Sequence, residues 1–211
     1  IKMKEAFKNR RICMIANYKR SVGGISGQVD LLLHYLEEEK ASVNLVNTKI
    51  NNFLRPFIIF KAIKEAKKCD LIHIHGCSYM GGFFPIMIGT IAGKILNKKI
   101  VVTYYGGEAD IFLKKWLYPT RFFLNKADYI TVPSKYLKNI FKKYGFEAEQ
   151  IRELIEIKSY KFRKRKSMKE NLLWVRTLEE MVYNPSMLIK CYQIVKRYIP
   201  NAKLTIIGKG P

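Results

Sequence analysis

Four short stretches of this 211-residue chain combine residue types that can hold or turn over a ligand. The first is Ser21-Val22-Gly23-Gly24-Ile25-Ser26-Gly27, where glycine lets the backbone approach a ligand and a following helix offers free N–H groups to an anion. A phosphate fits, although the spacing is not GxGxxG and Gly-rich turns are common. The second is His73-Ile74-His75-Gly76-Cys77. A period of two places both histidines on one strand face, with His75 at the strand end near the mouth of a crevice and His73 reading as a satisfied core side chain. The third, Thr103-Tyr104-Tyr105-Gly106-Gly107-Glu108, sets a phenol and a carboxylate beside paired glycines. The fourth is Arg176, whose guanidinium can grip two phosphate oxygens at once. Read blandly, Arg176 is one of 39 basic residues on a solvated surface.

Several other chemistries find no support. A metal site is not expected, because the third histidine, His34, lies far from the pair in sequence and the four cysteines show no CxxC spacing. A nucleophile elbow and a Walker A loop are missing, and no second carboxylate stands close to Glu108. Widely spaced cysteines also form no disulfide framework, so a reducing cytoplasm is the expected setting. Lys and Arg outnumber Asp and Glu 39 to 17, a formal charge of +22. That excess favours anionic partners and leaves nucleic acid, an acidic membrane surface and phosphorylated substrates open. No secretory leader is recognised, and the apolar residues 81–93 fall short of the roughly 20 needed to span a bilayer, so they read as a buried helix.

The elements that must position these stretches alternate between strand-like and helix-like about every thirty residues, which predicts a parallel sheet covered by helices. Strands are expected at 11–17, 42–46, 70–75, 100–104 and 129–132. Ser134 reads as an N-cap and Gly145 as a stop for a helix carrying Leu137, Ile140, Phe141 and Tyr144. The first domain closes near Ile157. Residues 158–169, KSYKFRKRKSMK, hold seven basic side chains and no acid, as a solvated linker would. A strand at 172–175, a helix at 185–198 and a strand at 203–207 then open a second α/β unit, too small to cover both faces of a sheet. Each chemical stretch follows a strand directly, where open parallel sheets bind ligands. The chain opens on Ile1 and stops at Pro211 after a strand and a Gly-rich turn, which reads as a fragment.

Taken in order, GGISGQVDLLLHYLEE, DLIHIHG, KKIVVTYYGGEADIF, KADYITVPSKYLKNIFKKYG and NLLWVRTLEEMVYNPSMLIKCYQIVKRYIPNAKLTIIGKGP resemble glycosyltransferase family 4, of the GT-B fold, over nearly the whole chain. The resemblance implies an α/β, GT-B architecture. Residues 1–157 form a Rossmann-like parallel sheet with helices on both faces on the acceptor side, 158–169 a basic interdomain linker, and 170–211 the truncated start of a second Rossmann-like domain that holds a nucleotide-sugar. The implied reaction moves a sugar from a nucleotide-diphosphate sugar to a glycan or lipid-linked acceptor with retention of configuration, with no cofactor and no obligatory metal. Gly23 and Gly24 are assigned to the donor diphosphate and Arg176 to its neutralisation. Tyr105 takes the place of a family histidine and joins His75 as a catalytic candidate.

Three departures accompany the resemblance. A phenol at Tyr105 keeps a hydrogen bond but is no base near neutral pH. Tyr183-Asn184-Pro185 occupies the region of a family lysine. A pair of family glutamates would fall beyond Pro211. The expected setting is cytoplasmic, with peripheral contact at the inner face of an anionic membrane. Nucleic acid is the less favoured partner, since no recognition helix or aromatic single-strand platform is visible. Two other readings stay open: a non-enzymatic basic module that uses the fold as a scaffold, and a degenerate, inactive transferase.

Overall fold

The computed structural model describes residues 7–20, 24–164 and 169–210. The chain divides into two compact units, Ile1–Ile157 and Lys158–Pro211.

In the first unit six parallel strands form one sheet: β1 (Arg11–Ala16), β2 (Ser42–Asn47), β3 (Leu71–Cys77), β4 (Lys99–Tyr105), β5 (Tyr129–Val132) and β6 (Glu149–Gln150), in the order β2-β1-β3-β4-β5-β6. The connecting helices are α1 (Ile25–Glu38), α2 (Ile58–Lys67), α3 (Tyr79–Ile95), α4 (Ala109–Leu124) and α5 (Lys135–Lys143). The α/β class expected from the alternation is therefore present. After Arg11 and Lys99, the exposed first residues of β1 and β4, the central strands open with apolar residues on both faces, because both faces are covered. On one face Cys13, Ile15, Ile72, Ile74, Ile100 and Val102 pack into the main core with residues of α2, α3, α4 and α5. On the other, Ile12, Met14 and Ala16 pack against Val29 and Leu36 of α1.

Helix α3 contains residues 81–93 and extends two residues beyond them at each end. Its Gly89 and Gly93 lie so close to the sheet that a Cβ would stand 2.5 Å from the Cδ1 atoms of Ile74 and Ile100 respectively. Among the described residues no helix is long and apolar enough to cross a membrane. Ser134 caps α5 by accepting the Leu137 N–H at 3.2 Å, and Gly145, at φ +78°, follows the helix as its left-handed stop. Helix α4 begins at Ala109 and bends at Trp116 (φ −121°). Pro119 accounts for the bend: it has no N–H to offer Lys115, and its ring crowds that residue's carbonyl.

The second unit pairs β7 (Asn171–Val175) with β8 (Lys203–Ile207) in parallel, Leu172 opposite Leu204 and Trp174 opposite Ile206. A short α6 (Glu180–Tyr183) precedes α7 (Pro185–Tyr198). Asn184 begins α7 by accepting the Met187 N–H at 3.0 Å, with Pro185 at the first position, where a missing N–H does no harm.

Candidate functional site

Strands β3 and β4 place polar side chains on the sheet face that α1 covers beside β1. Register sets His73 opposite Val101, His75 opposite Thr103 and Cys77 opposite Tyr105, so His75 and Tyr105 meet on the diagonal. His75 Nδ1 and the Tyr105 hydroxyl are 3.1 Å apart. One step along, His73 Nε2 is 2.8 Å from Thr103 Oγ1, which is 2.8 Å from Thr131 Oγ1 on β5. The two imidazole centroids stand 4.3 Å apart.

A cavity of about 550 Å³ adjoins this polar floor, walled by Phe7, Leu32, Val101, Pro133 and the segment 151–154. Gln28 of α1 ties that segment down: its Nε2 donates to Leu154 O at 3.2 Å and its Oε1 accepts from Leu154 N at 2.8 Å.

Burial controls the protonation of the floor. It lowers His73 to about 4, and it holds His75 well below the ordinary imidazole value, with His73 adding to the effect. Burial also raises the Tyr105 hydroxyl above its ordinary value, with the Glu153 carboxylate adding to the rise. At neutral pH the group is therefore two neutral imidazoles and a neutral phenol, which can give and take hydrogen bonds but hold no charge. Among the described residues His75 Nε2 has no hydrogen-bond partner. The expected position of His75 needs correction: β3 runs on to Cys77, and the side chain is 2% exposed, inside the sheet layer rather than at a mouth. The strand continues because Gly76 and Cys77 pair with Tyr104 and Tyr105.

At the carboxyl edge of β1, Gly24 opens α1 at φ +68°, a region that glycine enters without strain. Among the described residues a Cβ there would meet nothing within 4 Å. The first turn of α1 holds no acidic residue, and among the described residues no side chain caps it. Neighbouring side chains pin the chain leading into the loop: Asn17 Nδ2 donates to Gly81 O (3.1 Å), Tyr18 N to Asn47 Oδ1 (3.1 Å) and Asn47 Nδ2 to Tyr18 O (2.8 Å). Sequence reading had passed over Asn17 and Asn47, although an asparagine at each of two strand ends was a signal that could have found them. Gly23 lies outside the described residues.

Arg176 belongs to the second unit and directly follows β7. Its N–H donates to Ile207 O at 3.1 Å, and Leu178 N donates to Lys209 O at 2.8 Å, so the turns after β7 and β8 run side by side. A Cβ on Gly208 would collide with the Arg176 carbonyl, which makes glycine the residue that fits. Lys209 thus shares an edge with Arg176, a second cation that motif reading left unassigned. Tyr183 lies under the guanidinium, ring centroid to Cζ 5.2 Å. His34 is on the exposed side of α1, 3.5 Å from Glu38. Among the described residues no three His, Cys, Asp or Glu side chains gather as a metal site.

The profile of Glycosyltransferase Family 4 matches residues 22–154. The chain belongs to that family. No curated protein sequence matches it. Among solved structures, an alpha-glucosyltransferase in complex with UDP and a 13-mer DNA containing a central A:G mismatch superimposes with a TM-score of 0.60 at 14% identity, over 94% of this chain and 56% of that one. An alpha-glucosyltransferase in complex with UDP-glucose and DNA containing an abasic site gives 0.58 at 14% identity, over 96% and 68%. HepE of Anabaena, in complex with UDP, gives 0.60 at 14% identity, over 96% and 61%. At this identity the likeness establishes the fold, and the family 4 chain spans between just over half and about two thirds of these neighbours. Gly23, Gly24, His75 and Tyr105 fall inside the family match, and Arg176 falls after it.

Proposed function

We propose that this family 4 chain serves a retaining sugar transfer, from a nucleotide-diphosphate sugar to a glycan or lipid-linked acceptor, with the acceptor held by the first unit and the donor diphosphate met by Gly23, Gly24 and Arg176. The family match over residues 22–154 carries the reading. Solved neighbours of the same fold that hold UDP or UDP-glucose support it. As the glycosidic bond breaks, the leaving nucleoside diphosphate gains negative charge. N–H groups at the start of α1 and the Arg176 guanidinium stabilise that charge more than they stabilise the bound donor, which is how a fixed charge accelerates a reaction. Lys209 adds a second cation on the Arg176 edge, and no metal or cofactor enters. Tyr105, positioned by His75 Nδ1, offers a hydrogen bond to sugar or acceptor. Its burial keeps it protonated at neutral pH, so it does not take up the acceptor's proton. The same reading sets the protein in the cytoplasm, in contact with an anionic membrane surface.

The test is incubation of the purified chain with UDP-, GDP- and ADP-linked sugars and an acceptor mixture, with nucleoside diphosphate release followed and product anomers assigned by NMR. Release from one donor class with the anomer preserved is expected. A folded protein that neither binds nor cleaves any nucleotide-sugar would overturn the reading.

A further inference from the structure

Helices α2, α3 and α4 lie side by side on one face of the sheet: Ala62, Ile86 and Leu113 share one core, α3 packs against both neighbours, and the Phe83 and Phe112 rings sit 5.5 Å apart. With these residues turned inward, the outer stripe of α2 and the residues flanking it reads Phe57, Lys61, Lys64, Lys68, and that of α4 reads Ile111, Lys115, Tyr118, Phe122. A solvated helix face is normally polar. Here Phe57 is 63% exposed, Phe60 68%, Tyr118 84% and Phe122 61%, with Ile111 and Trp116 also exposed. Lysines accompany the rings: Lys126 Nζ lies 3.2 Å from the Phe122 centroid and Lys115 Nζ 5.8 Å from that of Trp116.

The charge on this layer is one-sided. The three helices carry Lys61, Lys64, Lys67, Lys94, Lys114, Lys115 and Arg121 against Glu65 and Asp110. Both acids are engaged: Glu65 Oε2 accepts from Asn44 Nδ2 at 3.0 Å, and Asp110 Oδ1 accepts from Lys143 Nζ at 2.8 Å and the Tyr144 hydroxyl at 2.9 Å. The face therefore offers cations to an anionic partner and bulky apolar side chains to an apolar one. A bilayer with anionic headgroups supplies both.

We propose that the outer face of the α2–α4 layer docks on an anionic lipid bilayer, with Phe57, Phe60, Trp116, Tyr118 and Phe122 at the boundary between headgroups and chains. This gives a surface to the membrane contact proposed above and does not depend on the sugar chemistry. Single-stranded nucleic acid would use aromatic rings as stacking platforms, but Ile111 has no π face to offer a base.

Of the two tryptophans, Trp174→Phe leaves only Trp116 as a reporter. The full chain is mixed with vesicles of phosphatidylcholine alone or with about 30% phosphatidylglycerol, a content that gives the surface its negative potential. Expected are a blue shift of Trp116 and quenching by brominated acyl chains on the anionic vesicles, weakening with salt. Phe57→Ser with Phe60→Ser, at exposed positions, weakens binding about tenfold or more, and Lys61→Gln with Lys64→Gln about fivefold per lysine. Co-sedimentation of the unaltered chain supplies the same comparison if the tryptophan variant folds poorly. Equal binding to neutral vesicles, no binding to either, or an unlabelled single-stranded oligonucleotide that displaces the protein from vesicles and reproduces the blue shift would overturn the proposal. Binding of UDP, GDP and ADP by the phenylalanine variant, which is expected to match that of the unaltered chain, separates loss of docking from failure of the donor reading.

Discussion

Burial holds His73 and His75 neutral, and this makes the first unit sensitive to acid well above the range in which carboxylates titrate. The unfolded imidazole takes its proton near 6.5, whereas His73 in the fold does so at about 4. As pH falls, the unfolded chain binds protons first. The stability contributed by the neutral histidines is thus complete above about pH 6.5 and is lost as pH drops toward the folded values. At pH 5 His73 costs about 2 kcal/mol, and His75, held well below the ordinary imidazole value by burial and by His73, adds to that loss, against a total stability of roughly 5–15 kcal/mol for a domain. Asp70, Asp110 and Asp128 are held below the ordinary carboxylate value, Asp70 chiefly by the Arg11 N–H, Asp110 by Lys143 and Asp128 by Lys99. Their contribution is present above about 3.8 and lost as pH falls through their folded values, so the two windows separate. The assay is urea unfolding followed by circular dichroism at pH values of about 7.5 and 5. His73→Gln with His75→Asn sets an amide where each ring nitrogen meets Thr103 or Tyr105, with nothing left to titrate. The unaltered chain should lose about 2 kcal/mol or more between the two conditions and the double variant less than about 1 kcal/mol. An unaltered chain with the same stability at both pH values, or a double variant that keeps the full loss, would refute the account of a neutral floor.

Other outcomes follow from single contacts. Ser134→Ala removes the acceptor for the Leu137 N–H and should lower stability by about 1 kcal/mol, read from the urea midpoint. Gly89→Val drives a side chain into Ile74, with Ile15 close behind at 3.3 Å, and should cost about 1–3 kcal/mol with a lower Tm. Tyr105→Phe leaves His75 Nδ1 unpartnered and should destabilise by about 1–3 kcal/mol; if Tyr105→Phe and Tyr105→His both leave sugar transfer unchanged, the hydroxyl has no part in it.

Much of the fold is legible where local signals agree. The strand Tyr129–Val132, the helix Pro185–Tyr198 and the strand Lys203–Ile207 follow from apolar runs bounded by caps and breakers, and Ser134 caps its helix as its chemistry predicts. What is not legible depends on partners distant in sequence. Gly76 and Cys77 are extended only because β4 pairs with them, and β6 is two residues long and visible only through its pairing with β5. The front of α4 is hidden by the bend at Trp116. Of the site, His75 and Tyr105 are visible one at a time as polar residues near strand ends, but their hydrogen bond depends on the diagonal of the β3–β4 register. Thr103 and Thr131 read as ordinary strand formers until that register brings them to His73. Lys209 sits in a Gly-rich turn whose pairing with Leu178 comes from the sheet alone.

The most direct test of the central claim is calorimetric titration of the chain with UDP, GDP and ADP, repeated with Arg176→Ala and with Arg163→Ala as an exposed control. The account predicts that one of the three binds, that loss of the Arg176 guanidinium weakens its binding about ten- to hundredfold through lost charge-assisted hydrogen bonds, and that the control is unaffected. Absence of binding by all three, or equal affinity in the Arg176 variant, would contradict it.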